Sequence, residues 1–214
     1  MEKMSSFFTE RVAGYDEHML NNVYGCKEGY IEMSKLIPPS CNFLLDLGCG
    51  TGLELDEILK RMPNLDVTGI DLTQAMLDKL KLKHPDKSMR LICGSYFDVP
   101  FDEGKYECAI SFQTMHHFSH ELKLGLYKKI HQALTPKGMY IECDYMVEEQ
   151  EEEDFYFAEN TRIRKELNIP TNEFYHYDIP CTITNQIGLL KNAGFSNVKK
   201  VFRLENTTIL VAYR

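Results

Sequence analysis

The sequence predicts an α/β domain: a parallel sheet with helices on both faces. Three observations carry this. From residue 42 onward, short apolar runs alternate with segments of helical spacing. The first run and the first helix are joined by a glycine turn, Gly48-Cys49-Gly50-Thr51-Gly52. The next run, Val67-Thr68-Gly69-Ile70-Asp71, ends in an acid at the same edge. Right-handed crossovers place all such strand ends on one side of the sheet, where ligands of open α/β sheets bind.

In chain order, strands are expected at 42–47, 66–70, 90–93, 107–112 and 138–144, with helices at 52–62, 73–83 and 121–134 between them. Thr73 is placed to cap the second helix, and Thr135-Pro136-Lys137-Gly138 to turn the chain into a strand. Before this core, residues 1–36 carry an apolar stripe of Phe8, Val12, Tyr15, Met19, Val23, Tyr30 and Ile31, with Gly14 and Gly25 as interruptions. Spacing favours a helix pair packed on the sheet; the alternative is a cap over a site, carrying Arg11 and Tyr15. The acidic run at 148–154 reads as a solvated face or loop. Residues 155–180 are rich in aromatics and fit a helical insertion over the sheet edge. Thr182 then caps a helix that Gly194 ends. Runs near 197–203 and 207–213, with Asn206 between them, suit a closing hairpin.

Composition narrows the class. A chain of 214 residues with 43% hydrophobic residues is large enough for one domain with a sizeable core. It shows no apolar stretch of membrane-spanning length, and its first residues lack the pattern of a secretory leader, so no membrane partner and a cytoplasmic setting are expected. The seven cysteines are scattered, with no Cys-x-x-Cys pair. Neither a disulfide framework nor a metal site is expected; Cys93, Cys108 and Cys143 are read as strand hydrophobes. A net charge of −8 makes nucleic acid an unlooked-for partner. Oligomeric state is not legible, a homodimer being one option.

The glycine turn carries the chemistry. Gly48, Gly50 and Gly52 let the backbone turn sharply and let a ligand approach. The helix that follows offers free N–H groups to an anionic group, and Thr51 can cap it or bond a ligand. The pattern is Gly-x-Gly-x-Gly; a dinucleotide fingerprint would need glycine where Leu53 stands. Asp46 adds a carboxylate that can hold the loop or a ligand's ammonium. Asp71 ends its strand 19 residues after Gly52, where a carboxylate can accept from both hydroxyls of a ribose.

Leu44 to Gly52, followed by Gly69-Ile70-Asp71-Leu72-Thr73-Gln74-Ala75-Met76-Leu77, resembles class I S-adenosylmethionine (SAM)-dependent methyltransferases. Gly94-Ser95-Tyr96-Phe97-Asp98, then Tyr106 to Phe112 with Met115-His116-His117-Phe118, then Leu134-Thr135-Pro136-Lys137-Gly138, then Ala193-Gly194-Phe195 continue the resemblance in order. The likeness implies a Rossmann-like three-layer sandwich over a single domain, 1–214. Its seven-stranded sheet is mostly parallel, with an antiparallel last strand inserted beside the sixth. Residues 1–36 would be a helical cap, 37–145 the SAM-binding core, 146–181 an insertion or lid, and 182–214 the last helix and hairpin.

The same resemblance implies SAM as cofactor and a small-molecule methyl acceptor as partner. Gly48, Cys49, Gly50, Thr51 and Gly52 would form the loop under the methionine part of SAM, supported by Asp46. Asp71 would take the ribose, with Leu72 and Met76 against the adenine or sugar. Tyr96 and Phe97 would flank the adenine. Ser95 stands where the family often has an acid, and its hydroxyl or a backbone carbonyl would read the adenine. Phe112 would begin the floor beneath the sulfonium, Arg11 would meet the SAM carboxylate, and Tyr15 would close over the methyl. His116, His117 and Tyr15 are the candidate catalytic residues, a histidine there being able to orient or deprotonate a hydroxyl. Residues 182–195 also resemble the end of carboxy-SAM synthases of tRNA modification, which need a cationic residue; Arg162 and Arg164 lie in a comparable region. A non-catalytic SAM-binding protein is a further alternative.

Overall fold

The computed structural model describes residues 1–170 and 172–214; Thr171, inside the expected insertion, lies outside them. The helices are α1 (Met4–Arg11), α2 (Tyr15–Asn21), α3 (Cys26–Leu36), α4 (Leu53–Arg61), α5 (Gln74–Lys83), α6 (His120–Ala133), α7 (Gln150–Glu166) and α8 (Ile183–Asn192). The strands are β1 (Glu2–Lys3), β2 (Phe43–Leu47), β3 (Asp66–Asp71), β4 (Met89–Cys93), β5 (Tyr106–Phe112), β6 (Leu134–Val147), β7 (Tyr175–His176), β8 (Cys181–Thr182), β9 (Ser196–Leu204) and β10 (Thr207–Tyr213).

The main sheet runs β4-β3-β2-β5-β6-β10-β9, with the short β8 added to the end of β6. β2 to β6 pair in parallel, and β10 runs antiparallel between β6 and β9. This is the expected seven-stranded order with its last strand inserted beside the sixth.

Strand alternation builds two cores, one on each face. Leu44, Val67, Cys108, Ile110, Ile209 and Val211 pack on one side with Tyr30 and Met33 of α3 and Leu55 and Ile58 of α4. Leu45, Ala109, Leu210 and Ala212 pack on the other with Leu126 and Ile130 of α6 and Leu190 of α8. Apolar side chains on both faces explain why these strands read as near-continuous apolar runs. Thr135 to Gly138 still turn, but as a bulge inside β6: Tyr106 pairs with Leu134, and Cys108 with Met139.

Several expectations need correction. The N-terminal region is three helices, not a pair, and it divides at Gly25 (φ +78°), where a Cβ would lie 2.8 Å from the Leu204 carbonyl oxygen. Beyond Gly25, α3 packs on the sheet, with Tyr30 stacked on Phe112 at 3.9 Å. Before it, α1 and α2 cover the strand ends. Cys93 is exposed at the end of β4, unlike buried Cys108 and Cys143. The acidic run starts α7, where Glu153 is only 1% exposed. The Glu153 carboxylate accepts from the Thr182 N–H and the Asn185 amide, tying α7 to the start of α8. Thr182 caps α8 as expected, its Oγ1 accepting from Asn185 N at 3.2 Å.

The cap and the insertion form one roof. β1 pairs antiparallel with β7, Glu2 opposite His176 and Lys3 opposite Tyr175, and Met4 N donates to Phe174 O at 3.1 Å.

Candidate functional site

The site lies at the C-terminal ends of β2 to β5. The loop after β2 is held by backbone bonds from Gly48 N and Cys49 N to Ile70 O (2.7 and 3.2 Å). Gly48 has φ +72°, and a Cβ there would meet Thr114 Oγ1 at 2.8 Å. Gly52 has φ +75°, and a Cβ there would run into Leu80 at 2.3 Å, so this glycine serves helix packing and does not line the cleft. Cys49 and Thr51 are also buried away from it; Thr51 Oγ1 donates to Asp16 Oδ1 at 2.6 Å. Gly48 and Gly50 alone of the loop reach the cleft.

Asp71 Oδ2 accepts from Gly50 N (3.0 Å), and its Oδ1 accepts from Thr73 N (2.9 Å) and Thr73 Oγ1 (3.0 Å). Thr73 therefore stands at the start of α5 without capping it: its hydroxyl locks Asp71 instead. A carboxylate has about four acceptor positions, so Asp71 keeps about one for a ligand's hydroxyl, and a second would share an oxygen already engaged. Burial raises its pKa, while the Thr73 and Gly50 bonds oppose the rise.

Asp46 lies beneath the loop at 1% exposure, and neither carboxylate oxygen has a hydrogen-bond partner among the described residues; Glu54 Oε1 beside it is also unpartnered. Burial first, and then each other's charge, pushes Asp46 well above the carboxylate range; burial pushes Glu54 up to about 7. Asp46 does not line the cleft. The Lys83 charge reaches Glu54 and opposes its rise without cancelling it, so the pair still favours a further cation such as an ammonium group.

Leu72, Met76, Ser95, Tyr96, Phe97 and Phe112 all line the cleft. Lys129 of α6 secures their loop by donating to the carbonyls of Tyr96 (2.9 Å), Phe97 (3.1 Å) and Val99 (2.5 Å). Ser95 Oγ accepts from Phe97 N at 3.2 Å, which leaves its hydroxyl proton for a ligand. Met4, Phe8, Thr114 and Phe174, which no sequence pattern marks as site residues, complete the walls with Gly94, Gln113 and Phe118. Tyr96 OH bonds Thr114 Oγ1 at 2.9 Å, and the Phe97 ring lies 5.3 Å from that of Phe174. The cleft holds about 50 Å³ of open volume, room for only a few waters at roughly 10–15 Å³ each.

A second, larger cavity of about 1090 Å³ adjoins the cleft. Phe8, Tyr15 and Gln113 line both. Gln113 follows β5 with φ +49°, rare for a residue with a Cβ; its place right after Phe112 was the one signal available. His116 and His117 follow in a 3₁₀ turn and face the larger cavity with His176, Tyr145 and Asp178. His116 Nδ1 lies 2.5 Å from Asp144 Oδ1 on the neighbouring β6. Burial pulls His116 down, but Asp144 and Asp178 outweigh it and raise its pKa; burial and the His116 charge lower that of His117.

The arginines are placed otherwise than expected. Arg11 does not reach the glycine loop: its guanidinium lies 3.8 Å over the Phe7 ring, pairs with Glu2 (3.2 Å) and lines the larger cavity. Arg162 pairs with Glu159 and Glu166 on the open face of α7. Arg164 donates to the carbonyls of Pro170 and Glu173. Among the described residues, no lysine or arginine lines the smaller cleft.

Comparison with known proteins bears on the family and the fold. Residues 44–138 match the methyltransferase domain family. Over its whole length the chain is 24% identical to the carboxy-S-adenosyl-L-methionine synthase of Nautilia profundicola, covering 96% of that protein. It is 28% identical to the enzyme of that name from Wolinella succinogenes, over 96% of this chain and 92% of the relative. Human N-acetylserotonin methyltransferase, solved with SAM, superposes with a TM-score of 0.70 at 14% identity. The match covers 98% of this chain and 56% of that longer one, a likeness of fold. No helix among the described residues is long and apolar enough to cross a membrane.

Proposed function

We propose, for this member of the class I SAM-dependent methyltransferases, that the smaller cleft holds SAM and the larger cavity receives a small-molecule methyl acceptor. The observation that carries this reading is the shared wall of Phe8, Tyr15 and Gln113. A methyl group handed through that wall leaves one room and enters the other.

When bound, SAM supplies an already electrophilic methyl on a sulfonium. The chain's residues then have to hold, align and dry the reactants. Asp71 anchors the ribose. Leu72, Met76, Tyr96 and Phe97 enclose the adenine, with Ser95 at its edge. Gly48 and Gly50 pass beneath the methionine part, and the Asp46–Glu54 pair balances its ammonium. Tyr15 sits on the shared wall and closes over the methyl, while His116 and His117 stand where the acceptor is oriented. Displacement is in line, and a proton acceptor is required only if the acceptor's nucleophilic atom carries a proton.

A carboxy-SAM synthase reading draws support from the full-length match to relatives of that name. A carboxylated methyl group would need a cation beside it. Among the described residues the cleft has none, Arg11 on the larger cavity is paired with Glu2, and Arg162 and Arg164 are engaged elsewhere. Ordinary SAM is the better fit. Mass spectrometry of the ligand that co-purifies separates the two: the SAM mass is expected, and a mass higher by one carboxyl group would favour the alternative. Release of S-adenosylhomocysteine across a panel of small hydroxyl and amine compounds tests turnover. Saturable SAM binding with no release under any acceptor would instead support a non-catalytic SAM-binding protein.

A further inference from the structure

The sequence pattern predicts no metal site, because its cysteines are scattered with no Cys-x-x-Cys pair. The folded chain brings together a different set. His116 Nε2 lies 3.5 Å from Asp178 Oδ1, and His117 Nδ1 lies 3.3 Å from the same oxygen; all three atoms fall within 4.8 Å of one another. We propose that His116, His117 and Asp178 bind one divalent cation on the wall of the larger cavity. The proposal rests on that cavity being the acceptor's room.

The distances suit coordination. Four ligands about 2.1 Å from a zinc-type ion stand roughly 3.4 Å apart along each edge of the tetrahedron. Asp178 Oδ1 is buried and satisfies hydrogen-bond geometry with no group, although it points between two ring nitrogens. The one other partner within reach of the His117 Nδ1 is the Tyr177 carbonyl, at 3.3 Å.

The support behind the ligands has the form metal sites use. Asp144 Oδ1 takes the His116 Nδ1 proton at 2.5 Å and is itself fixed by Tyr145 N at 2.9 Å. That bond turns the Nε2 lone pair of His116 toward Asp178, as in carboxylate–histidine–metal arrangements. Ile179 N donates to His116 O at 2.7 Å, which staples the Asp178 segment to the histidine turn. The two carboxylates of Asp144 and Asp178 face two imidazoles, a balance that favours an added cation. Two imidazoles and a carboxylate suit Zn²⁺ or a neighbouring first-row ion, with the remaining positions open to the cavity.

A cation there would give the cavity a means of activating a hydroxyl acceptor. As a Lewis acid it lowers the pKa of an oxygen placed beside it. The O–CH₃ bond forms as the S–CH₃ bond breaks, the bonding pair stays on sulfur, and the hydroxyl proton passes to solvent.

The test uses the full chain, stripped of metal, with Co²⁺ as probe. One Co²⁺ per chain is expected, with the intense visible bands of a low-coordinate site, displaced by Zn²⁺. Asp178→Asn, at a half-exposed position, should abolish those bands, and Asp144→Asn should weaken Zn²⁺ binding by about 10–100-fold. Calorimetric SAM binding by Asp178→Asn should stay at the wild-type value, which shows that the variant is folded. No Co²⁺ bands in the wild-type chain would overturn the site, as would bands that survive Asp178→Asn, for instance through the separate His120, Glu153 and Cys181 group. If methyl transfer is then found to be indifferent to chelators, the cation falls and the acceptor reading stands. If Co²⁺ binds but no acceptor releases S-adenosylhomocysteine, the site stands and the acceptor reading falls.

Discussion

The two cavities are built from opposite materials. The smaller cleft is made by short loops after β2, β3 and β4, closed by aromatic rings, with about 50 Å³ open. Its polar groups are few and fixed: Asp71 is locked by Thr73 and Gly50. The larger cavity, of about 1090 Å³, is walled by side chains from distant parts of the chain, among them four histidines. A tight, preorganised room suits one invariable ligand, and a wide room of titratable groups suits a ligand that must react. Specificity for the acceptor therefore lives in the roof and the insertion, and cofactor capture lives in the sheet edge.

If this division is right, Asp71→Ala has the largest effect on the small room. Losing hydrogen bonds to a charged group costs about 1.5–3 kcal/mol, or roughly 10–100-fold in SAM affinity, read by calorimetry. Tyr15→Ala strikes the shared wall. It should raise both the SAM dissociation constant and the acceptor KM, each by about tenfold, or about 1.4 kcal/mol. An effect on only one of the two would break the shared-wall account.

The Asp46–Glu54 pair gives a subtler test. Glu54 rises to about 7 in the fold from an ordinary value near 4.5. The folded chain then holds a proton that the unfolded chain has lost, so its stability falls as pH rises through that window. An ammonium ligand prefers the ionised pair, so SAM affinity should rise over the same range. Chemical denaturation and calorimetry at several pH values should show these opposite slopes, and Glu54→Gln should flatten both. The smallest effect belongs to Arg162→Ala. Its ion pairs are exposed, so SAM binding and stability should stay within error; a clear loss of SAM binding would revive the carboxylated-cofactor reading.

The contrast also explains what the sequence revealed. The small room is local: Gly48 to Gly52, Asp71 and Ser95 to Phe97 lie within segments whose turns and strand ends are readable from spacing. Even there, spacing could not tell a cleft-lining Gly50 from Gly52, which only makes room for Leu80. The large room is non-local. Asp144 on β6 meets His116 in the turn after β5, and Asp178 arrives from 61 residues beyond His117. Phe174 reaches the cleft through a two-residue pairing between β1 and β7, too short to leave a pattern. Arg11 differs from its expected place because it stacks on Phe7 and pairs with Glu2, contacts that no linear spacing encodes.

The most direct measurement of the central claim is a crystal structure of the chain with S-adenosylhomocysteine. The ribose is expected on Asp71, the adenine between Leu72 and Phe97, and the sulfur at the wall formed by Tyr15 and Gln113, facing His116 across the larger cavity. A sulfur turned away from that wall, or a ligand seated in the histidine-lined cavity, would contradict the account.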